Sequence, residues 1–158
     1  MSVHQEWLAK LKFFKEQLHA MGVPIQLPPP SQQELQIEYL EIIPGKKIKG
    51  KFPFQQRFTN PIGTYQGGFL IAAMDDHFGP LSYSTAERPC TTLSLSSTFL
   101  KPFVAKMGHA IVEVEVLSKT KSFIFMRGTV TSIEGELLAH ADSHVAILRD
   151  DQLNRGKA

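Results

Sequence analysis

Residues 69–74 read Phe-Leu-Ile-Ala-Ala-Met, six apolar side chains in a row within a stretch from Gly67 to about Ser84. A helix that is apolar on every side has to be buried, so the rest of the chain must enclose it. With 158 residues and 42% apolar side chains, there is material for one domain with a sizeable core and too little for two.

The enclosing layer is found downstream. Residues 91–100, 109–119, 122–134 and 137–148 are strand-like, rich in Val, Ile, Phe, Thr and Leu, and separated by short breaks. Connections this short imply antiparallel neighbours, because a parallel crossover needs a dozen residues or more. Upstream, Leu35, Ile37 and Tyr39 alternate with polar residues, Pro44-Gly45 turns the chain, and Ile48, Phe52 and Phe54 resume the alternation, which predicts a hairpin. Ser31 with Glu34 offers a competing helix cap at the start of that hairpin. At the N-terminus, Ser2 and Gln5 form a capping box ahead of Trp7, Leu11, Phe14, Leu18 and Met21, a helical pattern stopped by Gly22 and Pro24. A stiff Pro28-Pro29-Pro30 connector follows. Such an appended helix is expected to seal a sheet edge or a neighbouring subunit. The expected organisation is therefore a helix and proline linker over 1–30, a main domain over 31–150 and a frayed tail over 151–158. Its class is α+β: an antiparallel sheet wrapped around a buried central helix, with an extra N-terminal helix.

Composition excludes several functions. The net charge of +2, from 17 Lys and Arg against 15 Asp and Glu, is too even for a nucleic-acid or anionic-membrane binder. Lys46, Lys47, Lys49 and Lys51 cluster, the last three on one strand face, and are read first as a solvated face and second as a phosphate landing site. No apolar run is long enough for a membrane span, and Glu6, Lys10, Lys12, Lys15 and Glu16 occupy positions that a secretory signal would keep apolar, so a cytoplasmic protein is expected. Cys90, the single cysteine, is read as a structural thiol. His140 and His144 share a strand face with Asp142 but stand about 13 Å apart at about 3.3 Å per residue, too far to share one ion, so no metal is expected. His77 is read as capping the helix's outer face or tuning its neighbours.

Asp75 and Asp76 follow the apolar run, where an unpaired buried carboxylate would cost several kcal/mol or be forced to keep its proton. At 100° steps, Phe69, Leu70, Met74, Phe78 and Leu81 fall on one broad side of the helix, while Gly68, Ala72, Asp75 and Gly79 form a small-residue strip on another. Gln66-Gly67-Gly68 sits at the loop-to-helix junction, where free backbone N–H groups and the helix dipole favour a developing negative charge. Asn60 lies six residues upstream in a loop with Pro61 and Gly63, placed to orient a water or a carbonyl oxygen.

The string from Asn60 to Gly68, followed by six residues and Asp75, resembles the PaaI-like branch of the hotdog-fold acyl-CoA thioesterases. Their signature runs Asn, two residues, Gly, two residues, His-Gly-Gly, six residues and Asp. Thr98-Phe99-Leu100-Lys101-Pro102 looks like the family's strand ending in a hydrophobic-x-Pro bulge, and the resemblance covers roughly residues 35–148. It implies a hotdog fold and hydrolysis of an acyl-CoA thioester to acid and CoA, without a cofactor. It implies Asp75 as general base or nucleophile, the Gly67 amide as the group polarising the carbonyl, Asn60 in support, and Thr92 holding the water. Gly68, together with Ser118, Lys119 and Lys121 along the CoA arm, falls to substrate binding. Gln66 stands where most relatives carry histidine; its amide can exchange hydrogen bonds but holds no titrating proton. The same resemblance implies a homodimer or a dimer of dimers, with Asn60, Gly67 and Asp75 from one chain meeting Thr92 of another. Two alternatives accompany this reading. One is a hotdog module that binds acyl-CoA or an acyl carrier without turnover. The other is a hydratase, suggested by Asn60-Pro61-Ile62 but lacking the flanking Gly-Asp and His that hydratases carry.

Overall fold

The computed structural model describes residues 2–20, 26–149 and 152. Met21, Gly22 and Pro24, the expected stop of the first helix, lie outside the described residues, as does the tail from 150 onward apart from Gln152. Ser2 and Gln5 bond reciprocally, Ser2 N–H to Gln5 Oε1 at 2.9 Å and Gln5 N–H to Ser2 Oγ at 3.2 Å. This capping box opens α1, Val3–Ala20, by satisfying backbone donors that the first turn leaves unpaired.

The segment expected to begin the first strand is instead a short helix, α2, Pro30–Leu35. Proline near the start supplies a helical φ, and Gln36 ends the helix in the left-handed region at φ 55°. Ser31 makes no cap bond; its hydroxyl donates to Asp76 Oδ1 at 3.0 Å. The hairpin then follows as β1, Glu38–Ile43, and β2, Lys47–Pro53, paired antiparallel about a turn in which Gly45 takes φ 71°.

Four further strands complete a single sheet: β3, Cys90–Phe99; β4, His109–Lys119; β5, Phe123–Ser132; and β6, Leu137–Ile147. The strand order is β1-β2-β4-β5-β6-β3, and every pairing is antiparallel. The short link from β3 to β4 therefore does not join neighbours, contrary to the expectation from its length. β3 pairs with β6 at the far edge, from Cys90 opposite Ile147 to Phe99 opposite Ala139. Leu100 and Lys101 N–H both donate to Leu138 C=O, at 2.8 and 3.1 Å. This doubled donation is a bulge that ends the pairing, and Pro102 cannot resume it without an N–H.

The long helix α3, Gly67–Ala86, lies across the inner face of the sheet. Leu70, Ala73, Met74, His77, Phe78 and Leu81 are buried beneath it, and each large apolar side chain among them contributes about 1.5–3 kcal/mol. Phe69, expected on the same side, is only partly buried and stacks on Phe58 with centroids 4.2 Å apart. Close approach is made possible by glycine in the sheet: a Cβ at Gly128 would lie 2.9 Å from the Phe78 ring.

His77 is not on the outer face. It is fully buried, with Nδ1 2.7 Å from Ala73 O, so Nδ1 carries the proton and donates it. Nε2 faces Gly50, where a Cβ would come within 2.4 Å of it. Burial pulls the imidazole pKa down to about 4.

Pro80 sits inside α3. It has no N–H for the carbonyl four residues earlier, that of Asp76. The Tyr39 hydroxyl from β1 takes that place, donating to Asp76 O at 2.8 Å. The other end of β1's contacts is α1, where His4 Nδ1 accepts from Tyr39 N–H at 3.2 Å and Trp7 is buried. The helix thus seals one sheet edge. The other edge, β3, has no strand beyond it among the described residues.

Candidate functional site

The loop before α3 is built by Asn60. Its Oδ1 accepts from Ile62 and Thr64 N–H, both at 3.1 Å, and its Nδ2 donates to Thr64 Oγ1 at 2.7 Å. Side-chain amides of this kind substitute for backbone turns. Gly63 at φ 80° and a bridge between Thr59 and Tyr65 close the loop, and Gln66 N–H returns to Phe58 O at 2.8 Å. Asn60 therefore positions the backbone that enters α3.

Gln66 is the N-cap residue, exposed, and makes no side-chain cap bond. The first turn closes through Phe69 N–H to Gln66 O at 3.0 Å. The N–H groups of Gly67 and Gly68 have no partner among the described residues, as the first donors of a helix do not. No side chain crowds Gly68, and a Cβ there would meet open space. Beside Gly67 lies a cleft of about 340 Å³, lined by Asn60, Thr64, Leu70, Phe99 and Phe103 among others.

Farther along α3 the two aspartates part. Asp75 is exposed on the small-residue strip, and Thr92 Oγ1 donates to its Oδ1 at 3.2 Å. Thr92 is aimed there by a register shift between Thr92 and Ser94, which also turns Leu93 outward. Asp76 points instead toward α2. Its Oδ2 is buried without a partner, and burial raises its carboxyl pKa to about 6 against the pull of the Ser31 hydrogen bond.

The spacing along α3 divides the expected site. Gly67 and Asp75 are eight residues apart, about 12 Å at 1.5 Å per residue, so one carbonyl cannot touch both within a chain. Thr92, expected from another chain, stands beside Asp75 in its own.

The expected CoA-contacting residues lie at the far end of α3. Lys119 Nζ donates to Thr85 O at 2.7 Å, where a cation satisfies the helix's last carbonyls. Ser118 and Lys121 stand exposed around the β4–β5 turn. The lysines of β2 are spoken for: Lys47 meets Glu41 at 2.7 Å, Lys49 meets Glu113 at 3.6 Å and Lys51 meets Glu38 at 3.1 Å. That ladder is a solvated face and leaves little free charge for phosphates. Cys90 is buried, its thiol directed to Ser82 O and Arg88 O, and burial pushes its pKa up. Asp142 pairs with Arg127 at 2.9 Å, and His144 packs edge-on against Phe125.

Sequence reasoning passed over three contributors. Pro80 advertises an orphan carbonyl at Asp76, and that signal was readable. Tyr39 as its partner was not, since 37 residues separate them. The third is Phe99, whose ring tip lies against Gly67; a Cβ on that glycine would come within 2.9–3.1 Å of it.

A six-stranded antiparallel sheet wrapped around one long helix is the hotdog fold, and this chain has it. Within that fold its likeness is to the PaaI-type thioesterases. The phenylacetic acid degradation protein PaaI of Thermus thermophilus, in a mutant form, is 25% identical with a TM-score of 0.70 over 76% of this chain and 100% of that one. A phenylacetic acid degradation-related protein of Ralstonia eutropha, described as a candidate thioesterase, is 24% identical with a TM-score of 0.69 over 79% and 92%. A Streptococcus mutans protein solved with acetyl CoA bound is 18% identical with a TM-score of 0.68 over 78% and 93%. No protein-family model and no curated protein matches the sequence.

Proposed function

We propose that the chain hydrolyses acyl-CoA thioesters. The observation that carries this reading is an exposed Asp75 carboxylate, oriented by Thr92, on a helix whose first N–H groups are unpaired beside a cleft. The Gly67 N–H polarises the thioester carbonyl and receives the negative charge that develops on its oxygen. Asp75 takes a proton from water as the water oxygen adds to the carbonyl carbon, or adds to that carbon itself. The C–S bond then breaks and CoA leaves as the thiolate and is protonated; where Asp75 itself has added, water next hydrolyses the acyl–Asp75 anhydride, and on either route the acid is released.

A separation of about 12 Å between Gly67 and Asp75 supports a reading in which they serve different sites. Gly67, held by the Asn60 loop, works with Asp75 and Thr92 of a second copy. This regroups the expected set, in which Asp75 kept company with Gly67. The acetyl CoA held by the Streptococcus mutans protein supports an acyl-CoA as ligand.

The test is thiol release from a panel of acyl-CoAs. Turnover is expected on at least one, with Asp75→Asn lowering kcat at least about a hundredfold while binding persists. Tight binding with no thiol release from any of them would leave the acyl-CoA binding module as the correct reading.

A further inference from the structure

Phe99 has no place in the chemistry above, yet its ring supplies the three atoms nearest to where a Gly67 side chain would begin. Its ring tip, Cζ with both Cε atoms, occupies the space beside Gly67 that a side chain would fill, at 2.9–3.1 Å from an ideal Cβ. Phe99 is the last residue of β3, and the bulge formed by Leu100 and Lys101 on Leu138 O follows immediately. Bulges beside active sites re-aim side chains, and here the strand ends with the phenyl group directed at the helix terminus. The ring is 48% exposed, so it is a wall of the cleft and not part of the core. Leu70 and Phe103, both buried, line the same cleft from behind and are fixed by the core.

A thioester oxygen accepting from Gly67 N–H sits about 2.7–3.1 Å from the nitrogen. The substituent on its carbonyl carbon then has to pass the group packed on Gly67. We propose that Phe99 is a specificity-determining residue, whose ring sets the bulk tolerated on the acyl carbons next to the thioester carbonyl. The proposal rests on the thioesterase reading. It gives Gly67 a second reason to lack a side chain: besides freeing the amide, the glycine admits the ring.

The experiment compares kcat/KM for n-butyryl-CoA with that for two acyl-CoAs bulky at the α-carbon, isobutyryl-CoA and benzoyl-CoA, in wild type, Phe99→Leu and Phe99→Ala. The bulky-to-straight ratio is expected to rise at least about tenfold in Phe99→Ala, the scale on which pocket methylenes are discriminated. Phe99→Leu should fall between. Thermal unfolding of each variant checks that the exposed ring can be removed without loss of fold. Rates that fall together for all three substrates, with the ratio unmoved, overturn the proposal. Calorimetric Kd values for the same ligands give the same ratio independently of turnover. Absent hydrolysis by the wild type therefore counts against the thioesterase reading alone, while an unmoved Kd ratio counts against Phe99.

Discussion

Asp75 and Asp76 are consecutive in the chain and a quarter-turn apart in their fates. The helical wheel placed them about 100° from each other, and motif spacing singled out Asp75 as the one to face a substrate. The surroundings of Asp76 were not legible, because they come from Ser31 and Tyr39, which no local pattern links to residue 76. Those surroundings set a pH dependence. Folded Asp76 holds its proton to about pH 6 against an ordinary value of 3.8. The folded chain thus binds more protons between these values, and stability falls as pH rises through them. His77 runs the opposite way: its folded pKa of about 4 lies below 6.5, the unfolded chain binds more protons, and stability rises with pH. In the wild type the two slopes oppose each other. Asp76→Asn keeps an acceptor for Ser31 and removes the first slope. Urea unfolding at several pH values should show the variant gaining stability from about pH 4 to 6.5, the span between the two His77 values, where the wild type is flatter. Above about pH 7 the variant should be the more stable by on the order of 1 kcal/mol, after screening of a partly exposed carboxylate. Parallel curves would remove Asp76 from this account.

Among elements, period and punctuation predicted most of what formed. The buried helix was readable from an apolar run that no exposed segment tolerates, and the four late strands from their β-branched composition. Two errors have physical causes. Leu35 fits a period of two with Ile37 and Tyr39, but Pro30 begins a helical turn that local composition did not outweigh. The place of β3 depends on long-range pairing with β6, which loop length does not encode. The dependence of α3 on β1 is testable at Pro80. Tyr39→Phe leaves Asp76 C=O without its donor, and an unsatisfied buried carbonyl costs about 1–3 kcal/mol. That loss is expected in chemical denaturation. If the Asp76 carbonyl is truly satisfied by Tyr39, Pro80→Ala, which restores the helix's own N–H, should make the Tyr39→Phe change much milder. Equal losses in both backgrounds would break the link.

For the whole molecule, the decisive quantity is the distance along α3. The spacing of the motif names candidate residues in sequence, while the proposed sharing between chains rests on converting eight residues into about 12 Å. A mixing experiment tests it. Gly67→Pro removes the N–H at a helix position that accepts proline, provided Phe99 swings aside. Combined with Asp75→Asn chains, it should regain one working site per hybrid dimer. Thr92→Val combined with Asp75→Asn should regain none, because both defects then lie on the same half-site of each chain. Recovery from the second mixture but not the first would restore the original grouping.

The seal that α1 places over β1 bears on how many copies can join. A sheet open at both edges is a repeating unit: each addition exposes a new edge, and growth has no natural end. Here His4 occupies the Tyr39 N–H and Trp7 is packed in place, whereas β3 has no strand beyond it among the described residues. Were two copies to pair edge to edge through β3, each would turn its α1-covered side outward. A helix laid over one edge in this way favours a finite pair over the fibre that a sheet open on both sides would invite.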